Sequence, residues 1–155
     1  MSDPADLSAY LDEAWQHLGR GVADSRSPAR YPTFATTASD GTPEARTVAL
    51  RGANRSAGIV EVHTDVETDK VRALRDLPVA ALHIWLPRAN LQIRMTANVN
   101  IHTGPDVEGS WTRVPPASRV SYGTLPAPGT PISDVYDNVK PPERARIAVH
   151  KCNHN

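Results

Sequence analysis

Leu91-Gln92-Ile93-Arg94-Met95-Thr96-Ala97-Asn98-Val99-Asn100-Ile101 is the stretch that decides the fold. Leu91, Ile93, Met95, Ala97, Val99 and Ile101 occupy every second position, with polar residues between them. Successive side chains of a strand point to opposite faces, so a period of two is that of a strand with one face on a core and one in water. This is the longest clean alternation in the chain. Residues 79–86 form a second strand-like run just before it, and Pro87-Arg88-Ala89-Asn90 between the two reads as a turn.

Further upstream, Ile59-Val60-Glu61-Val62-His63 alternates in the same way. Thr33-Phe34-Ala35-Thr36-Thr37-Ala38, the turn Ser39-Asp40-Gly41-Thr42 and the extended Thr47-Val48-Ala49-Leu50-Arg51 predict a hairpin, followed by a polar break over 52–58. Residues 67–77 predict a short helix. Thr68 caps it, Val71, Leu74 and Leu77 share a face, and Pro78 stops it. An N-terminal helix is predicted over 2–20, capped by Asp3, with Pro4 in its first turn and Gly19 and Gly21 at its end. Leu7, Tyr10, Leu11, Ala14, Trp15 and Leu18 recur at helical spacing along it. After His102, short helices are predicted over 107–114 and 117–122, separated by Pro115-Pro116. A Pro- and Gly-rich loop over 125–142 and one strand, Ile147-Ala148-Val149, follow.

The predicted order is helix, three strands, helix, two strands, helices and a last strand. Hairpins dominate it, which favours a mainly β, antiparallel barrel with peripheral helices over a parallel doubly wound sheet. The 155 residues suit a single domain over 1–155: an N-terminal helix (2–20), barrel strands (32–102), then helices, Pro-rich loop and short tail (103–155).

Composition narrows the function classes. Hydrophobic residues make up 39% and charged ones 22%, the mixture of a globular chain. Basic and acidic residues balance at 17 each, which argues against a nucleic-acid partner and a polybasic membrane anchor. The acidic N-terminal stretch does not read as a signal peptide, and no run approaches the roughly 20 apolar residues of a membrane span, so a cytoplasmic location and no membrane partner are expected. The one cysteine, Cys152, excludes an internal disulfide and a Cys-based zinc cluster. His150, Cys152 and His154 would share one face of an extended tail, but a chain terminus makes a poor pre-formed metal site, so no metal is expected. Ser118 lacks the G-x-S-x-G context of a nucleophile. Trp15, Trp85 and Trp111 are expected in the core or an interface. Only three lysines are present, so most positive charge sits on Arg, whose planar fork suits phosphate.

Basic groups collect around the strands. Arg46 and Arg51 flank Thr47-Val48-Ala49-Leu50, Lys70 opens the short helix after His63-Thr64, and Gln92 and Arg94 alternate with the apolar face of the long strand. A helix start offers free backbone N–H groups and partial positive charge. With Lys70 and a neighbouring Arg it can form a phosphate site.

The ordered set of motifs resembles the pyridoxamine 5'-phosphate oxidase superfamily of FMN-binding split barrels. The segments that carry the resemblance are Phe34-Ala35-Thr36, Asp40-Gly41-Thr42-Pro43, Arg46-Thr47-Val48-Ala49-Leu50-Arg51, His63-Thr64-Asp65 with Lys70, Pro78-Val79-Ala80-Ala81-Leu82 and Leu91-Gln92-Ile93-Arg94. Trp111, Pro115, Ser118-Arg119, Tyr122 and Pro128-Gly129-Thr130-Pro131-Ile132 are similar to a bacterial flavin-binding subgroup.

The resemblance implies an antiparallel split barrel, a homodimer with FMN at its interface, and oxidoreductase activity on a small-molecule substrate. Arg46 and Lys70 would hold the FMN phosphate. The backbone of Thr47, Val48, Ala49 and Leu50 would run along the ring, with Arg51 near ring and substrate. His63 and Thr64 match an aromatic-Thr pair beside the cofactor, and Gln92 matches a residue that hydrogen-bonds the ring. Asp69 stands where the family has a second basic residue, which implies a weaker hold on phosphate unless its carboxylate turns away. The family continues past the Pro-rich loop with further strands, so the C-terminus is expected to be shortened. Two other readings stand beside the enzyme. One is a non-catalytic flavin- or haem-binding split barrel, with His63, His83 and His102 as candidate axial ligands. The other is an incomplete chain with an open barrel edge.

Overall fold

The two longest alternations pair with each other. In the computed structural model, which describes residues 6–119 and the backbone of 147–153, β5 (Val79–Leu86) and β6 (Leu91–His102) run antiparallel from Leu86 opposite Leu91 to Val79 opposite Asn98. Leu82, Ile84 and Leu86 on β5 and Ile93, Met95, Ala97 and Val99 on β6 are buried, while the residues between them are exposed. The turn joining the strands places Asn90 at φ 47°, a left-handed conformation that Asn adopts more readily than most residues.

The hairpin predicted upstream differs in its second arm. β1 (Thr33–Thr37) pairs with β2 (Pro43–Thr47), not with 47–51. Val48 and Ala49 leave the sheet, and Leu50–Asn54 forms a separate β3 paired with β4 (Ile59–Asp65). Four strands therefore precede α2 (Asp69–Asp76), where the sequence predicted three. The tail strand expected at 147–149 is present and longer. β7 (Ile147–Asn153) lies between β6 and β4, antiparallel to both.

The resulting seven-stranded sheet has the order β2-β1-β5-β6-β7-β4-β3. Its two outermost strands are thus neighbours in sequence, joined only by Val48 and Ala49. Laid flat, such a sheet would separate them by about 29 Å at about 4.8 Å per strand, whereas the connection reaches about 11 Å at full stretch. The sheet must curl until β2 and β3 meet at a seam where they do not hydrogen-bond. This is the expected mainly β, antiparallel barrel, and Phe34, Leu50, Val60, Val62, Leu82 and their neighbours fill it.

The N-terminal helix, α1, spans Leu7–Ala23 instead of the predicted 2–20, and its N-cap is Asp6, whose side chain accepts from the Ala9 N–H at 2.9 Å. Asp3 and Pro4 lie outside the described residues. The helix runs through Gly19 and Gly21, which were expected to end it. Gly21 has a packing role instead: a Cβ there would sit 2.6 Å from the backbone C and O of Ala29, in the 3-10 turn Pro28–Arg30. Tertiary packing outweighs the modest helix penalty of glycine. Beyond β6, a 3-10 turn (Gly104–Val107), α3 (Glu108–Arg113) and α4 (Pro116–Arg119) follow. The predicted loop 125–142 and residues 120–122 of the second predicted helix lie outside the described residues.

Candidate functional site

The seam shapes a cavity of about 330 Å³, at the lower end of small-molecule pockets. Three strand ends meet there. Thr47, Val48 and Ala49 come from the crossing between β2 and β3, Arg51 from the start of β3, and His63, Thr64 and Asp65 from the end of β4. Thr68 and Lys70 from the start of α2 complete this side, and Ser25, Arg30, Tyr31 and Ser118 the other.

Local irregularities aim these groups. Leu50 pairs with Val62 and Gly52 with Glu61, so Arg51 is the extra residue of a β-bulge. A bulge turns a side chain away from its regular face, and Arg51 enters the cavity wall while Leu50 stays in the core. The β4–α2 connection is held by Asp65, whose Oδ1 accepts from the Glu67 N–H at 2.8 Å. Thr68 Oγ1 donates to the Asp65 carbonyl at 3.0 Å. Thr68 is the N-cap residue of α2, as predicted, although its hydroxyl makes no cap bond. Arg30 spans the 3-10 turn, α1 and β3, donating to the carbonyls of Gly21 (3.1 Å), Val22 (2.8 Å) and Leu50 (3.2 Å).

The wall carries the cations Arg30, Arg51 and Lys70 against one carboxylate, Asp65. Burial pushes the Lys70 ammonium down from 10.5 to about 8, with repulsion from Arg46 adding to it against the pull of Asp65 and Asp69. Burial also lowers Arg46, against the pull of Glu44 and Asp69. Asp69 is turned to the exposed side of α2, where it pairs with Arg72. Two buried polar atoms in cavity-lining residues lack a hydrogen-bond partner among the described residues: Nε of Arg51 and Nδ1 of His63. Such atoms are costly to leave unpaired, and an incoming ligand with matching groups would satisfy them.

Of the ten residues singled out from sequence, Thr47, Val48, Ala49, Arg51, His63, Thr64 and Lys70 come together in this wall. Arg46 is not among the lining residues. It reaches across to Thr36 Oγ1 (2.7 Å), the Phe34 carbonyl (3.3 Å) and Glu44 (3.4 Å), close enough to Lys70 to repel it. Leu50 is fully buried in the core. Gln92 lies on the outward face of β6, its Nε2 3.1 Å from His83 Nε2. Arg30, Tyr31 and Asp65 are additions that the sequence reading did not assign. Asp65 stood in the quoted motif, whereas nothing local distinguishes Arg30 from other turn arginines. No helix among the described residues is long and apolar enough to cross a membrane.

Residues 12–103 match the family model described as pyridoxamine 5'-phosphate oxidase, FMN-binding domain. The chain belongs to this family. The family's domain is an FMN-binding one, and the matched span holds most of the cavity wall. Among the pyridoxamine 5'-phosphate oxidases, pyridoxine/pyridoxamine 5'-phosphate oxidase 2 of Arabidopsis thaliana is 25% identical over 128 residues, covering 76% of this chain and 64% of the relative. The chain thus spans less than two thirds of that relative's length.

Solved structures of the same fold include a pyridoxamine 5'-phosphate oxidase-related, FMN binding protein from Nostoc punctiforme (TM-score 0.72, 21% identity, 96% of this chain and 82% of that one). PhzG from Burkholderia lata, in complex with tetrahydrophenazine-1-carboxylic acid, gives 0.69 at 19% identity over 98% and 78%. A heme binding protein from Mycobacterium smegmatis gives 0.53 at 16% identity over 91% and 51%. At these identities the likeness is one of fold. Flavin fits the donor set here: cations for a phosphate, an apolar crossing for a flat ring, and orphaned polar atoms for directed contacts.

Proposed function

We propose that the chain is a single-domain FMN-binding protein that acts as an oxidoreductase on a small molecule, with the flavin in the seam cavity of a homodimer. The observation that carries this is the half-buried Lys70, held below its ordinary pKa beside Arg46 and at the start of α2. A phosphate carrying about two negative charges relieves that repulsion and gains charge-assisted hydrogen bonds. Val48 and Ala49 offer backbone and small apolar surface to the ring, and Arg51 reaches ring and substrate from its bulge. When bound, the flavin supplies the redox chemistry, and the protein's part is to bind, orient and exclude water.

The dimer is supported by a surface. The outward face of β2, β1, β5 and β6 presents Ala45, Thr33, Val79, Trp85 and Gln92, with no element over them among the described residues. Trp85 is 48% exposed and Val79 36%. Pairing two such faces would bury Trp85 and bring Gln92 to a partner's flavin.

Absorption spectra of the purified chain, before and after excess FMN and gel filtration, test the reading. Retained flavin that is lost in the Arg46→Ala/Lys70→Ala double variant is expected. A wild-type chain that retains none overturns it. Haem is less well served. Of the three candidate ligands, His83 is engaged at Nε2 by Gln92, and His63 at Nε2 by Glu61; His102 lies at the end of β6 and is not among the cavity-lining residues. A haem-type absorption band in place of the flavin spectrum would reverse this order.

A further inference from the structure

β4 carries a polar chain that runs from the cavity wall to α3. Nε2 of His63 lies 2.8 Å from Glu61 Oε1, two residues back on the same face of the strand. The same oxygen accepts from Ser110 Oγ at 3.4 Å, and Ser110 Oγ in turn accepts from the Arg113 guanidinium at 3.2 Å. Gly52, opposite Glu61 across the β3–β4 ladder, leaves room for it: a Cβ on Gly52 would stand 3.0 Å from Glu61 Cβ. The His63 side chain is only 4% exposed, and its other nitrogen, Nδ1, is buried with no partner among the described residues, in a residue that lines the cavity.

A carboxylate accepts hydrogen bonds and has none to give, so Glu61 fixes the proton of a neutral His63 on Nε2. Nδ1 is then an acceptor with a bare lone pair. We propose that His63 is a ligand-selecting residue of the flavin site: its Nδ1 accepts a hydrogen bond from an N–H or O–H group of the bound flavin, and Glu61, braced by Ser110 and Arg113, is the positioning residue that keeps it an acceptor. A phenylalanine at this position could supply packing but no acceptor. The proposal rests on the flavin reading above, and it links α3 to the cavity through a chain of hydrogen bonds.

The test combines nitrogen-15 NMR of histidine-labelled protein with FMN titrations of wild type, His63→Asn, His63→Phe and Glu61→Gln. In wild type the free protein should show Nε2 protonated and Nδ1 bare, and the Nδ1 resonance should shift on adding FMN. Glu61→Gln, whose amide can either give or take a hydrogen bond, should show mixed tautomers. His63→Phe should weaken FMN about tenfold, within the range for leaving a buried polar group unpaired. His63→Asn, whose side-chain oxygen takes the place of Nδ1, should bind within about threefold of wild type. A melt of each apo variant checks that it folds, and the wild-type tautomer readout stands even if His63→Phe does not. Wild type that binds FMN with Nδ1 protonated, or with its resonance unmoved, overturns this proposal alone. Wild type that binds no FMN overturns the flavin reading and this proposal with it.

Discussion

Replacing Lys70 by Met should move stability and flavin binding in opposite directions. In the folded chain the Lys70 pKa falls from 10.5 to about 8. At about 1.36 kcal/mol per unit this is a ceiling of about 3.4 kcal/mol against the charged form. The side chain keeps some contact with solvent, and screening brings the figure to about 1–2 kcal/mol. Because the folded pKa lies below the unfolded one, the folded chain binds fewer protons between pH 8 and 10.5, and wild-type stability rises with pH across that window. Met removes the charge and keeps most of the stem, so at pH 7 the apo variant should melt higher by about 2–8 °C. The gain should shrink as the pH rises past 8, where wild-type Lys70 loses its own proton. Flavin affinity should fall about 10- to 150-fold, the loss of one charge-assisted hydrogen bond to phosphate. Thermal melts of the apo proteins at pH 7 and 9.5, with FMN titrations by fluorescence quenching, measure both. A variant that melts lower at pH 7 yet binds FMN like wild type would refute the reasoning.

Wild-type affinity for FMN should itself weaken as the pH rises above about 8, because the phosphate then has to recharge Lys70; isothermal titration at several pH values would show proton uptake on binding. Gly21→Ala should cost about 1–3 kcal/mol, since its Cβ would overlap the Ala29 backbone, and a urea melt reads this directly. Phe34→Ala empties a fully buried position of the barrel and should cost about 3–5 kcal/mol, visible as a collapse of the melting transition. Trp85→Glu should leave a folded monomer with reduced flavin retention, and sedimentation equilibrium that finds wild type monomeric would remove the basis for this expectation.

The strands that carry a plain period of two, β4, β5 and β6, were legible because burial of one face writes itself into the sequence. The break at Val48-Ala49 was not. These residues look like strand locally, and they leave the sheet because β2 and β3 belong to opposite edges, a property of the whole topology. Gly21 misled for a similar reason, since only the approach of Ala29 explains its place inside the helix, whereas Gly19 has open space at its Cβ position. At the site, the motif residues of the crossing, β4 and α2 were recoverable as a set. Arg30 was not, because its three carbonyl partners come from α1 and β3, which sequence spacing does not bring together. Glu61 read as the polar member of an alternating strand, and its contact with His63 is a matter of side-chain geometry.

The placement of β7 has a consequence for how the chain is made. β1 to β6 leave the ribosome well before residues 147–153, yet among the described residues β6 and β4 are bridged only through that late strand. During synthesis the nascent chain therefore holds two half-sheets with unpaired edges facing each other, a state open to pairing with other chains. Closure waits on a long-range contact, which makes it slow. A codon pause or a bound chaperone acting just before this segment emerges would decide how much of the translated protein reaches the closed barrel.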